Sequence, residues 1–317
     1  MSLPPLFGHA QTWDRLTALL DADRLPHALL FLGPPGIGKA LVAQRLAMRL
    51  ACTAASGAPC GECGGCRQVL AGSHPDLLSF AAPGKGRKET RKKEIGIEQA
   101  RELKHFAQLR PIAAPRKMAI VDDADRLSLA AQNALLKTLE EPPGQALLVL
   151  ISATPGALLT TVRSRCQRIT FRPLTGVEVT DALRAGGLAG DELAILAAAA
   201  DGSPGRALGL RATWQDADRE AVLGALAALQ NGRYASVLMM SQSLGKAEPD
   251  TAARLDGLLA ACHAEATAAA GSGDRVALRR ALTRVEAVAD ALATLRRRNP
   301  NRPLLTEALA LRLSRTT

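Results

Sequence analysis

The string GPPGIGKA at residues 33–40 constrains this chain more than any other. It follows the apolar run Ala28, Leu29, Leu30, Phe31 and Leu32, and it precedes a helical pattern made by Leu41, Leu46, Ala47 and Leu50. Strand, glycine-rich turn and helix in that order read as a phosphate loop. Gly33, Gly36 and Gly38 let the backbone curl so that its N–H groups point at phosphate oxygens. The helix N-terminus adds positive partial charge, and Lys39 reaches the terminal phosphates. The last position departs from the motif. A Ser or Thr there ligates the Mg²⁺ of a bound nucleotide, and Ala40 has no oxygen to offer. The expected pocket therefore takes ATP or ADP but hydrolyses it poorly.

Two further apolar runs extend the α/β pattern. Residues 117–126 (KMAIVDDADR) form a buried strand that ends in Asp122 and Asp123. Acids delivered beside a phosphate loop hold Mg²⁺ and orient water; the other reading is that they cap the next helix. A strand over 146–152 leads to Thr154, a polar side chain placed to sense a terminal phosphate, although a Thr at a strand end is ordinary by itself. A strand is also expected within 74–80, with helices over 97–109 and 130–139 and a short helical pattern over 158–166 that ends in Arg163 and Arg165. By default such a basic tip is a solvated helix end. Strands alternating with helices predict a parallel sheet covered on both faces. His27, just before the first strand, either hydrogen-bonds structurally or touches a nucleotide base.

Cys52, Cys60, Cys63 and Cys66 make a C-x7-C-x2-C-x2-C pattern after the phosphate-loop helix. Four thiols this close fit tetrahedral, structural Zn²⁺, and Gly61, Gly64 and Gly65 permit the tight turns such wrapping needs. An iron-sulfur cluster shares part of this spacing but lacks its usual C-x3-C-P continuation. Four unligated thiols are the third reading. With every position filled by Cys, no coordination site is open for catalysis.

At 317 residues the chain has length for two or three domains, and 47% apolar residues give each a core. It contains no run of about eighteen apolar residues. Its first residues lack a charged segment followed by an apolar one, so a cytoplasmic protein without membrane contact is expected. The net charge of +10 points to an acidic partner such as DNA, or serves solubility alone. Only 3% of residues are aromatic, which argues against single-strand binding by base stacking. Residues 83–94 carry six basic residues and two Glu and read as a solvated loop, with phosphate contact as the alternative.

Taken together, RLPHALLFLGPPGIGK, the four-Cys module, VDDADRL, NALLKTLEEPP and the Ser-Arg-Cys at 164–166 resemble the clamp-loader subunits of bacterial DNA polymerase III, in particular the delta-prime branch. The resemblance is dense over residues 7–172 and thinner beyond. It implies an AAA+ (P-loop NTPase-like) α/β domain over 1–172 with the four-Cys module inserted at 52–66, a small helical lid over 173–212, and an all-α collar over 213–317. It also implies a place in a hetero-pentamer with tau/gamma ATPase subunits and a delta subunit that loads a sliding clamp on primed DNA as part of the polymerase holoenzyme. Arg165 would be an arginine finger serving a neighbour's ATP site, and Arg206, in SPGRAL, would sense nucleotide from the lid or else be an exposed first-turn residue. A catalytic tau/gamma subunit would carry Ser or Thr at position 40 and Glu at 123. Ala40 and Asp123 therefore favour a stator that is not itself an efficient ATPase. The rivals are a working tau/gamma-type ATPase and a stand-alone zinc-dependent nucleic-acid binder. The collar pattern includes a long stripe through Val276, Leu278, Leu282, Val285, Val288, Leu292 and Leu295 that needs partner helices.

Overall fold

The computed structural model describes residues 3, 5–54, 58–80, 94–142, 145–213, 251–298 and 301–314. The chain divides between Leu174 and Thr175 into two compact units. In the first, the elements run α1 (Ala10–Asp21), β1 (Ala28–Leu32), α2 (Lys39–Ala51), α3 (Gly64–Ala71), β2 (Leu77–Phe80), α4 (Ile97–Gln108), β3 (Lys117–Val121), α5 (Leu129–Glu140), β4 (Ala146–Ser152), α6 (Thr160–Arg163) and β5 (Gln167–Thr170). Short 3₁₀ turns at Ala124–Arg126 and Pro155–Ala157 follow β3 and β4.

The five strands form one parallel sheet in the order β2-β3-β4-β1-β5. A central parallel strand is covered on both faces, so it reads as a continuous apolar run. This is why ALLFL, KMAIV and ALLVLIS are buried almost throughout. One face packs Leu30, Ala119, Val121 and Leu150 against Leu103 of α4 and Leu135 and Leu139 of α5. The alternate residues Leu29, Phe31 and Val149 point to the other face and are fully buried. Ser128 caps α5 by accepting from the Ala131 amide at 3.2 Å. The helix expected over 158–166 is shorter, and the chain turns into β5 one residue after Cys166. That fifth strand was not expected. It is an edge strand of four residues with only Ile169 buried, too short and too polar for a strand signal.

The described residues of the second unit form helices: α7 (Gly176–Ala185), α8 (Gly190–Ala199), α9 (Pro204–Thr213), then α10 (Thr251–Ser272), α11 (Arg275–Arg298) and α12 (Arg302–Ser314). Thr175 and Glu178 form a reciprocal capping box at the start of α7. Leu255, Leu258 and Cys262 of α10 pack with Val288 and Leu292 of α11 and Leu309 and Leu313 of α12. The stripe expected on α11 is only partly used, because Val276 and Leu282 are exposed. The buried seam runs through Ala281, Arg284, Val288, Ala291 and Leu292, and the two exposed residues fall off that helical face. Arg284 is tolerated in the seam because it pairs with Glu265 at 2.9 Å. Residues 214–250, which follow the expected lid border, and residues 83–93 of the basic loop lie outside the described residues. No helix among the described residues is long and apolar enough to cross a membrane.

Candidate functional site

The glycine-rich loop leaves the C-terminal end of β1 and enters α2, where open parallel sheets bind ligands. Gly33 has φ +152°, and a Cβ there would lie 2.5 Å from the Phe171 carbonyl oxygen. No other residue fits. Gly36 and Gly38 are also left-handed, with φ +74° and +103°. Lys39 opens α2 and is 6% exposed. Its Nζ donates to the carbonyls of Gly33 and Pro34, each at 2.6 Å, so the ammonium lies inside the curve of the loop. Ala40 is exposed on the next helical position.

The loop is anchored from outside by residues that sequence reasoning missed. His9 is buried and its Nε2 donates to the Ile37 carbonyl at 2.7 Å. Its ring meets Phe171 edge-on at 5.0 Å, and Phe171 leans on Phe31 at 4.9 Å. Nothing in the sequence marks His9, because its partner lies 28 residues away and is a backbone atom. His27 sits at the other edge of the sheet and bonds the Leu139 carbonyl at 3.0 Å, a structural role.

Register brings the acids to the loop's edge. Leu32 of β1 is level with Ser152 of β4, and Val121 of β3 is level with Leu150. Asp122 and Asp123 therefore leave β3 on the same side as Gly33, two strand spacings or about 10 Å across. Asp122 Oδ1 accepts from the Asp123 amide at 3.0 Å, and Asp123 adopts a left-handed conformation at φ 53°. The cap of α5 is Ser128, so the acids do not serve that helix. Asp125, which was not singled out, accepts from the Ala153 amide at 3.3 Å and ties the acidic turn to the end of β4. Thr154 follows, exposed, its amide donating to Ser152 Oγ at 3.1 Å. Gln132 of α5 is buried; it donates to the carbonyls of Leu127 and Ala157 and accepts from the Leu159 amide at 2.7 Å. One side chain thus joins the turn after the acids to the loop before α6.

Arg165 follows α6, between Val162 and Cys166, both buried. Its own side chain is 34% exposed and faces away from the core that holds those neighbours. Nη2 pairs with Glu140 Oε1 at 2.7 Å, and Nη1 donates to the Thr161 carbonyl at 2.9 Å and to Ser164 Oγ at 3.4 Å. These use three of the five guanidinium donors. Arg206 belongs to the second unit, on the first turn of α9, half exposed and 3.6 Å from Asp201.

The four thiols of Cys52, Cys60, Cys63 and Cys66 lie within 4.8 Å of one another and can hold a metal ion. The separations of 3.7 Å between Cys52 and Cys60 and 4.0 Å between Cys63 and Cys52 match the roughly 3.8 Å edge of a tetrahedron with 2.3 Å metal-sulfur bonds. No disulfide links them. Amide N–H groups of Cys66 and Thr53 hold the Cys63 thiol down to about 5, while burial pushes Cys66 up to about 12. Backbone N–H groups of Glu62 and Cys63 lower the Cys60 thiol as well, so local backbone favours the thiolate at these two positions, and a cation would supply the drive for the rest. The module is seated on α2, since a Cβ at Gly65 would lie 2.1 Å from the Ala51 carbonyl oxygen. Cys166 and Cys262 are buried in the two cores, with burial raising their thiols to about 11 and about 12.

A phosphate loop at the carboxyl edge of a 2-3-4-1-5 parallel sheet, acids two strands away and a helical second unit give this chain the AAA+ (P-loop NTPase-like) fold. Consistent with that fold, a DNA polymerase III gamma subunit-related protein of Thermotoga maritima superposes with a TM-score of 0.50 at 16% identity, covering 96% of this chain and 99% of that one. Residues 8–175 match the family described as DNA polymerase III, delta subunit, and the chain belongs to that family, in its delta-prime clamp-loader branch. The delta-prime subunit of Pseudomonas aeruginosa is 42% identical over 142 residues, 44% of this chain and 41% of that protein. That of Escherichia coli K12 is 36% identical over 231 residues, 71% and 67% respectively. The tau subunit of Bacillus subtilis is 34% identical over 210 residues, 64% of this chain and 36% of that one. The match thus spans about two fifths of the Pseudomonas relative.

Proposed function

We propose that this chain is the stator of a clamp loader: it keeps a nucleotide site impaired for hydrolysis and supplies Arg165 to the ATP site of an adjoining tau/gamma-type subunit. The observation that carries this reading is the contrast between Ala40, which offers no Mg²⁺ ligand, and Arg165, one-third exposed and with donors to spare. A guanidinium is always charged and presents a planar fork suited to phosphoryl oxygens. In the proposed assembly it offsets charge spreading over the transferred phosphoryl group. Lys39 and the carboxylates of Asp122 and Asp123, gathered at one sheet edge, support binding of ATP or ADP in cis. Asp123 in place of a longer Glu leaves the attacking water less well polarised. Thr154 would lie near the terminal phosphate, and Arg206 would reach the nucleotide from a lid over 173–212, with a collar over 213–317 forming the ring contact. The assembly so read is a hetero-pentamer with delta that acts on the sliding clamp and primed DNA.

The test is Arg165→Ala in the complex reconstituted with its ATPase subunits. Turnover at the site it serves should fall by about 10³-fold or more, seen as a large loss of DNA-stimulated ATPase with assembly unchanged. Unaltered turnover would reject the finger. For the four-Cys module we propose structural Zn²⁺: one equivalent of zinc should copurify with the chain and be lost in Cys63→Ser, together with stability. Because Gly65 packs on Ala51 of α2, the module reads as a built-in part of this domain rather than a stand-alone nucleic-acid binder.

A further inference from the structure

The pair between Arg165 and Glu140 asks for a reason. Glu140 is the last residue of α5, where an acid faces the negative end of the helix dipole and is disfavoured. Its side chain is half exposed and that of Arg165 one-third exposed, so the pair adds little to stability. What the pair does add is direction. A free arginine tip samples many rotamers, whereas this one is bridged between two elements, with Nη2 on Glu140 of α5 and Nη1 on the Thr161 carbonyl of α6. Helix α5 is itself fixed, with Leu135 and Leu139 in the core and Gln132 bonded to the loop before α6. These two contacts and a third, to Ser164 Oγ, hold the guanidinium plane while two of its five donors stay uncommitted.

We propose that Glu140 is a positioning residue for Arg165: it holds the guanidinium in one orientation, so that the free donors meet a phosphoryl group of a neighbouring protomer without first being ordered. This rests on Arg165 acting in trans. Pre-ordering reduces the entropic cost of reaching the transition state, so the effect falls on turnover and not on ATP affinity.

The experiment measures steady-state ATPase of the reconstituted complex with primed DNA, using this chain with Glu140→Ala, Glu140→Gln, Arg165→Ala and the Glu140→Ala/Arg165→Ala double change. Glu140→Ala should lower kcat by about 3- to 30-fold with KM for ATP, thermal midpoint and assembly unchanged. Glu140→Gln, which keeps a hydrogen bond but not the charge, should fall between. In the Arg165→Ala background the same change should have no further effect. Normal kcat in Glu140→Ala alongside a loss in Arg165→Ala would overturn the positioning role alone. So would an equal further loss in the double variant, or a loss that tracks the thermal midpoint. If Arg165→Ala itself leaves turnover intact, the finger reading falls and the positioning role falls with it.

Discussion

Two buried lysines stand at opposite edges of the same sheet, and they differ in what satisfies them. Lys117 opens β3 at the amino edge, where its Nζ pairs with Asp76 at 3.0 Å and lies 4.5 Å over the Phe106 ring. Asp76 is also held: it accepts from the amides of Ile112, Ala113 and Ala114. Lys39 opens α2 at the carboxyl edge and donates to two neutral carbonyls of its own loop. A charge locked to a carboxylate that three amides themselves hold in place has no cheaper arrangement to move to. The two carbonyl contacts of Lys39 can be exchanged for phosphate oxygens at a gain. The same side chain at similar burial is thus a rivet in one place and, in the proposed function, a ligand-binding group in the other.

The largest effect expected from this contrast is at the amino edge. Asp76→Ala leaves Lys117 buried without its carboxylate and orphans the amide nest, so urea unfolding should show a loss of about 3–5 kcal/mol. The carboxyl also carries a pH signature. Burial pushes it up, but the amides of Ala113, Ala114 and Ile112 together with Lys117 more than reverse this and hold it at about 2 against 3.8. Its folded pKa lies below the unfolded one. Its stabilisation is therefore complete above about pH 4 and is lost as pH falls toward about 2, and Asp76→Asn should flatten that part of the stability curve.

At the carboxyl edge the expected losses are in binding. Lys39→Ala should weaken ATP or ADP binding by at least about tenfold in calorimetry, while changing unfolding free energy by no more than about 1 kcal/mol. If Lys39→Ala instead unfolded the chain as Asp76→Ala does, the distinction between the two lysines would be lost. His9→Ala sits between the two, since it removes a buried hydrogen bond to Ile37 and the ring contact with Phe171. It should cost about 1–2 kcal/mol and weaken nucleotide binding less than Lys39→Ala does.

The same contrast explains what the sequence made legible. Gly33, Gly36, Gly38 and Lys39 could be read because the backbone conformations they need are written in residue identity at fixed spacing. The clustering of the four cysteines could be read for the same reason, as each thiol is close in sequence to the next. The β1, β3 and β4 runs announced themselves because both faces of a central parallel strand are apolar. The nest around Asp76 could not be read: its partners are backbone amides 36 to 38 residues away, and a backbone amide has no residue code. His9 failed for the same reason, and β5 because a short edge strand buries too little to leave a pattern. Arg165 was visible as the middle of Ser-Arg-Cys, but its partner Glu140 was visible only as the first acid of Glu-Glu-Pro-Pro. What brings them together is the packing of α5 beside α6, which no local signal encodes.

The account's central claim is that this chain gives more to a neighbour's nucleotide site than to its own. DNA-stimulated ATP turnover by the reconstituted complex, measured with Lys39→Ala and with Arg165→Ala in this chain alone, tests it most directly. The account predicts that turnover survives the first change nearly intact and collapses with the second. Collapse with Lys39→Ala and survival with Arg165→Ala would contradict it.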